Sequence, residues 1–488
     1  MAGLVTGKRS PRPRTHRWIR RPATAVVATC ALVLASSLIA NAATNLLTPP
    51  KLTDPNAMEK QVTRGPGNRI LTNTGVWSPD GKWIVYDTRP DAAGLDFTGL
   101  TIEMVNVETS EVRELYRAAR GAHCGVATFH PRLPKVVFIL GPEDPTSDWQ
   151  YNAWHRQGVI VDVKKPGIAL NLDALDLVPP YTPGALRGGS HVHVWDSAGE
   201  WVSFTYEDHV LAQFKDATAE HEVNLRNVAV SVPNHPVQVS KGHPRNHDGQ
   251  YFTVAVSHTV AKPNPGSDEI ERAFEEGWIG TNGYARRDGS RQRRALAFQG
   301  IVRAPGGEAV PEVFIVDLPE DMTIAGNRPL AGTETTAPWP PKGITQRRLT
   351  RTTDRKFPGI RGPRHWLRSS PDGSSIACLM ADEEGIVQIW TVSPAGGEPR
   401  QLTRNPWPIG SAFTWSADGQ CLAHVMDNSV CLTDANTGAT RRLTKRFEEA
   451  VAPRPEACVF SRDGHQIAYV RRVPEGAVLS NQIFVVSR

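Results

Sequence analysis

A tetrad of turn residues returns along the chain at a near-constant interval. Ser370-Pro371-Asp372-Gly373 is the clearest copy, and Ser416-Ala417-Asp418-Gly419 and Ser461-Arg462-Asp463-Gly464 follow it. Their aspartates stand 46 and 45 residues apart. Pro presets φ, Asp caps its own backbone and Gly accepts positive φ, so each copy predicts a tight reversal between two strands. Around Asp372 the rest of a unit is legible: a short strand ending at 369, a second over 375–380, a third over 386–392 and a fourth over 399–403, with turns between them. A sheet of about 40 residues cannot bury both of its faces alone, so it needs stacked copies of itself.

The chain supplies those copies. The first-to-second-strand frame recurs strongly at 76–87, 414–425 and 459–470, and more weakly at 128–139, 194–205 and 244–255. An outer-strand signature repeats as RRLTR (347–351), RQLTR (400–404) and RRLTK (441–445). Its counterpart QVTR (61–64) precedes the first unit, whereas the last unit ends after QIFVVS without one. The expectation is an all-β propeller of four-stranded blades closed by an N-terminal strand. Seven blades fit best; six and eight stay open because 248–372 is irregular.

These residues also carry a resemblance. The SPDG-type turns and LT outer strands resemble the TolB-type repeat. LLTNTGVWSPDGKWIVYDTRP, RGGSHVHVWDSAGEWVSFTYEDHV, PGSDEIERAFEEGWIG and GIVQIWTVSPAGGEPRQLT are similar to the bacterial YidR-like family, over about residue 60 to the C-terminus. That resemblance implies a propeller fold and names no activity.

Residues 1–42 hold seven Lys/Arg and no acid, then an apolar run from 23 to 40 and the small-x-small motif Ala40-Asn41-Ala42. This is the pattern of a cleaved export signal, with an uncleaved membrane anchor as its rival. Either way the remainder, 43–488, is expected as a single propeller domain outside the cytoplasm, periplasmic or in the cell envelope. The chain carries 55 basic and 50 acidic residues; without the first 42 the balance is 48 to 50, so nothing in it calls for a nucleic-acid partner. The basic run 286–294 reads as a solvated loop. Beyond Cys30 the cysteines are Cys124, Cys378, Cys421, Cys431 and Cys458, an odd and irregular set that suits buried thiols. Surplus length falls at 146–183, at 261–294 and in the Pro-rich link 319–342. Within 261–294, Ser267-Asp268-Glu269 predicts a helix start, with Ile270, Phe274 and Trp278 sharing one face. Loops of this kind are where binding specificity resides.

Enzyme signatures are missing: no nucleophile elbow, P-loop, HExxH or dinucleotide fingerprint occurs. Histidines in register stand out instead. Counting four residues back from each first-strand end gives Asn73, Gly125, His191, Lys241, His365, Ser411 and Glu456. On a regular strand His191 and His193 share one face, and His365 joins them from another blade. Those rings pack between blades, hold a divalent metal, Mn or Zn first, with an open position, or touch a ligand directly without metal. Arg187 and Arg364 are candidate forks for a ligand carboxylate. Two functions fit. The first is an exported, monomeric binding module for an envelope protein or a small or oligosaccharide ligand, as the TolB-type resemblance implies. The second rests on a resemblance of the HVH strand to oligogalacturonate lyases, which implies metal-assisted proton abstraction from a uronate.

Overall fold

A computed structural model describes residues 58–488 apart from Leu95, Arg364, His365 and Ala477. The expected export segment lies outside the described residues. The described chain forms seven four-stranded antiparallel blades. Blade 1 is Asn68–Ile70, Trp83–Arg89, Thr101–Asn106 and Val112–Arg117; blade 2 is Cys124–Phe129, Lys135–Leu140, Gln157–Asp162 and Ala169–Asn171. Blade 3 is Gly188–Trp195, Val202–Asp208, Asn227–Val232 and Phe252–Ala255; blade 4 is Ala273–Trp278, Ala295–Arg303, Ala309–Asp317 and Thr345–Arg348. Blade 5 is Arg368–Ser369, Ile376–Ala381, Val387–Val392 and Arg400–Gln401; blade 6 is Thr414–Trp415, Cys421–Met426, Ser429–Asp434 and Thr440–Arg442. Blade 7 takes Pro453–Phe460, Gln466–Glu475 and Val478–Ser487 from the C-terminus. Its outer strand is Glu59–Gln61, with Glu59 opposite Val486 and Gln61 opposite Phe484.

The turn chemistry is literal. Ser78 Oγ donates to Asp80 Oδ1 at 2.6 Å and accepts from the Trp83 amide at 2.9 Å. Ser370 repeats this with Asp372 at 2.6 Å and the Ser375 amide at 3.0 Å. The following glycines, Gly81 and Gly373, sit at φ 70° and 74°, where a side chain would be strained. Blade 2 lacks the acid, and His130 replaces it: the amides of Arg132 and Leu133 both donate to its Nδ1 at 2.9 Å.

Each blade buries its apolar faces against its neighbours. The seam between blades 7 and 1 holds Val76, Trp77, Ile84 and Tyr86 against Val459, Ala468, Val470 and Ile483. Comparable clusters fill the seams between blades 1 and 2, 3 and 4, and 6 and 7. At about 1.5–3 kcal/mol for each fully buried large aliphatic or aromatic side chain, this packing outweighs the few hydrogen bonds that cross a seam. Those bonds are nonetheless repeated. Trp77, Trp278 and Trp415 each donate their indole N–H to an inner-strand carbonyl of the preceding blade, Val459, Val194 and Arg368, at 2.9–3.0 Å.

The structure corrects two expectations. The turn at 244–249 does not follow an inner strand; it precedes Phe252–Ala255, the outer strand of blade 3. Lys241 therefore pairs with Asp248 on the periphery at 2.6 Å, and Phe274 takes its place in the ring. The second concerns the helix expected from Ser267. Ser267 closes a turn, and Ala273–Trp278 is the inner strand of blade 4. A register shift between Phe274 and Gly277, with Glu275 at φ 56°, adds a residue to that strand. The four-residue spacing of Ile270, Phe274 and Trp278 fits a strand's period of two as well as a helix's, so the pattern by itself imitates a helix. The basic run is also structured: Tyr284–Ala285 and Arg291–Gln292 form a small hairpin, and Arg294 pairs with Asp196 and Glu200. The five described cysteines are free thiols, all buried except the half-buried Cys421.

Candidate functional site

All seven inner strands run the same way along the axis, so the two mouths of the channel differ in chemistry. Where the strands end, Trp77, Phe129, Trp195, Trp278, Trp415 and Phe460 help to line a cavity of about 310 Å³. Most of those indoles are already committed to holding blades together. Where the strands begin, a second cavity of about 290 Å³ collects ionisable and aromatic groups from five blades: Asn73, Asp87, Arg89, Phe97, Tyr151, Arg156, His191, Trp366 and Glu456.

Three of its charges are internally satisfied. Asp87 and Arg89 lie two residues apart on one strand face and pair at 2.6 Å, both buried. Burial pushes the Asp87 carboxyl up, and Arg89 and the Val126 amide pull it back. Gly125 sits directly beneath them; a Cβ there would strike the Asp87 carboxylate and crowd Arg89 and Phe97. Arg454 grips Glu456 through two bonds at 2.7 and 3.1 Å and also donates to the carbonyls of Ala92 and Ala93, which fastens a blade 1 loop to blade 7.

Arg156 differs. It donates Nε to Tyr151 Oη at 2.9 Å, and no carboxylate pairs with its terminal nitrogens among the described residues. Tyr151 stacks on Phe97 with ring centroids 4.8 Å apart and planes within 6°. His191 stands beside this group. Burial, followed by the charges of Arg156 and Arg226, holds its imidazole well below the usual range, so the ring is neutral. Its Nδ1 and the Trp366 Nε1 are both hidden from solvent without a partner among the described residues.

The expected face of paired histidines does not form. Val192 adopts φ 61°, and the strand register shifts between His191 and Val194. His191 lines the mouth, whereas His193 is fully buried against Phe204 between blades 2 and 3. Burial drives the His193 pKa down to about 3. The site of a Cβ on Gly158 lies only 2.5 Å from His193 Nε2 and 2.7 Å from Asp173 Oδ1, so that glycine makes room for both. Arg187 is likewise withdrawn. It pairs with Asp208 at 2.7 Å and donates to the carbonyls of Thr333 and Thr336, so its fork is spent on anchoring the 319–342 link. Arg364 and His365 lie outside the described residues. Among the described residues no three His, Cys, Asp or Glu side chains are gathered to hold a metal ion.

Deeper in the channel, Arg368 donates to Asn73 Oδ1 across the axis and faces Glu275 and Glu276. Burial raises the Glu276 carboxyl to about 7 and lowers Arg368 to about 10. The strand spacing places Asn73, His191 and Glu456 in the ring, whereas no local spacing marks Asp87, Arg89, Tyr151 and Arg156. The last two ride on the surplus segment after 146, and that excess length was their signal.

A family model described as "Protein of unknown function (DUF3748)" matches residues 123–247, a span that includes Arg156 and His191. The chain is 50% identical to "Uncharacterized protein YidR" of Escherichia coli (strain K12) over 425 residues, 86% of this chain and 96% of that one. Among solved structures it is similar to oligogalacturonate lyase from Vibrio parahaemolyticus, at 11% identity and TM-score 0.45, over 90% of this chain and 96% of that one. It is also similar to TolB from Acinetobacter baumannii, at 14% identity and TM-score 0.33, over 86% and 79% respectively. These last two are distant likenesses of architecture.

Proposed function

The chain belongs to the YidR family, and on that footing we propose that it is a binding protein whose channel mouth takes a small, carboxylate-bearing ligand. The observation that carries this reading is Arg156, a guanidinium on a cavity wall that lies over the Tyr151 ring and, among the described residues, hydrogen-bonds only through its Nε. Its remaining N–H groups suit the two oxygens of a carboxylate. The Phe97–Tyr151 stack offers a flat apolar wall beside it, and His191 Nδ1 and Trp366 Nε1 offer uncharged hydrogen bonds. Buried polar groups without partners are uncommon in native proteins, and a ligand would satisfy these two. A volume of about 290 Å³ suits one ring-sized molecule. With residues 1–42 read as an export signal or anchor, the ligand is met outside the cytoplasm. The lyase reading needed His191 and His193 on one face, and the bulge at Val192 removes that support.

Calorimetric titration with D-glucuronate, succinate and benzoate tests the proposal. At least one should bind saturably, and Arg156→Ala should weaken it about tenfold or more. Absence of saturable binding by all three up to ~10 mM, or binding indifferent to Arg156→Ala, overturns it.

A further inference from the structure

Arg156 and Tyr151 reach the mouth on one segment, residues 146–156, between the second and third strands of blade 2. Within it Trp149 is nearly buried, Asn152 caps the short turn Ala153–His155 by accepting from the Ala153 amide at 2.6 Å, and His155 closes the turn. His155 is the polar link from this turn to the end of the second strand of blade 3. Its Nε2 lies 2.9 Å from His209 Nδ1, and its Nδ1 lies 2.6 Å from the Gln150 carbonyl. A carbonyl can only accept, so His155 Nδ1 carries the hydrogen. Nε2 is then a lone pair, and His209 Nδ1 must donate to it. With ring centroids 4.9 Å apart, the imidazoles meet close to head-on. Trp149 stacks on His155 at 3.8 Å and meets His209 edge-on at 4.7 Å, which shields the bond.

We propose that this His155–His209 contact is a proton-sensitive latch on the channel mouth. With both rings neutral it holds Tyr151 and Arg156 in the cavity wall; when both rings are protonated it parts and releases the segment. As regulation of ligand binding, the latch rests on the reading of the mouth given above. The hydrogen-bond count explains the switch. A first proton on His209 Nε2 leaves the Nδ1–H···Nε2 bond in place. A second sets N–H against N–H and cation against cation. The surroundings favour the neutral pair. Arg245 lies over Trp149, 5.7 Å from the ring centroid, and His243 and Arg156 border the same region. Of the acids bordering the same cavity, Glu143 and Asp144 already face Arg120, and burial raises the Asp173 carboxyl to about 7.

Burial, then Arg245, depresses His155; burial, then His155 and His243, takes His209 down to about 4. A depressed histidine pKa contributes stability that is present near neutrality and lost as pH falls from about 6.5 towards 4. Opening therefore belongs to that acid window.

Hydrogen exchange on the full chain, without ligand, tests the latch. After correction for intrinsic rates, amides of 149–156 should exchange at least about tenfold faster at pH 4.5 than at pH 7.5, while those of Ile376–Ala381 hold. His209→Phe should leave the segment open at both pH values. His155→Gln, which keeps a neutral polar side chain there, should remove the pH response and serves if the first variant fails to fold. Protection of 149–156 that persists in the parent protein down to pH 4.5 overturns the latch, as does a pH response that survives both substitutions. Because no ligand is present, a mouth that binds neither D-glucuronate nor the other acids would sink the binding reading without touching this outcome.

Discussion

Blades 5 and 6 and blades 2 to 4 use one plan to different ends. In the former the inner strands are two residues long, the reversals are short, and no non-glycine residue on an inner strand has positive φ. In the latter the inner strands run to six or eight residues, and Val126, Val192 and Glu275 sit at φ 60°, 61° and 56°. All three lie three residues before the aromatic residue that ends the strand. Left-handed backbone is costly for a β-branched residue, and strain of this kind persists where surrounding structure over-determines it. The bulge turns His191 towards the mouth and sends His193 into the core. The plain blades supply rigidity; the bulged ones aim side chains.

Four experiments press on that contrast. The largest effect should come from the scaffold. Deleting 58–64 removes the Glu59–Gln61 ladder, buried Val62, and Thr63, whose Oγ1 donates to Gln482 Oε1 and accepts from the Ile483 amide. Two exposed sheet edges should lower the melting temperature by about 10 °C or more. A change of a degree or two would mean that the seam cluster alone closes the ring.

Glu276 separates the halves by pH. Its carboxyl is raised to about 7 in the fold, so the folded protein holds a proton that the unfolded chain has released. Stability should therefore fall as pH climbs from 4.5 to 7. Glu276→Gln should flatten that slope and gain on the order of 2–3 kcal/mol at pH 8, whereas Glu383→Gln on exposed blade 5 should do nothing. Parallel denaturation curves for Glu276→Gln and its parent across that range would contradict the channel electrostatics.

Glycine tolerance sharpens the comparison further. Gly158→Ala should cost about 1–3 kcal/mol, because His193 and Asp173 occupy the space. Gly410→Ala, whose nearest neighbour would be 3.6 Å away, should stay within about 0.5 kcal/mol. Equal costs in urea titrations would remove the distinction. The smallest effect is chemical. Cys421 should label with a maleimide in the folded state, while Cys124 and Cys378, whose thiols burial pushes up to about 12, should label only on unfolding.

The turn tetrads made the propeller legible because Ser, Asp and Gly each do a fixed backbone job, and that job does not depend on distant residues. Ring register followed for blades 1, 2, 3, 6 and 7; the blade 5 position, His365, lies outside the described residues. It failed at blade 4, where Asn246–Gly249 imitated the turn and the four-residue spacing of Ile270, Phe274 and Trp278, ambiguous between strand and helix, imitated a helix. Bulges defeat sequence reading because nothing local marks them: Val192 is an ordinary strand residue until its neighbours demand φ 61°. The pairing of Arg187 was equally hidden, since its acceptors Thr333 and Thr336 arrive from about 150 residues away. Arg156 is the converse: its position was unmarked, yet its loop was conspicuous by length.

The pairing of Glu59 with Val486 also sets an order in time. Among the described strands, the first to leave the ribosome finds its partner in the last. Until 478–487 has been synthesised, Glu59–Gln61 is an unpaired edge, Val62 and Thr63 wait for Ile483 and Gln482, and the apolar side chains of blade 1 that face blade 7 stay wet. Blades 1 to 6 can stack as they emerge, but the ring cannot close before 478–487 has been made. Contacts of such separation fold slowly, and open sheets associate with one another. A chain stalled near residue 450 is thus an arc with two sticky ends, and the final blade converts it to a closed ring.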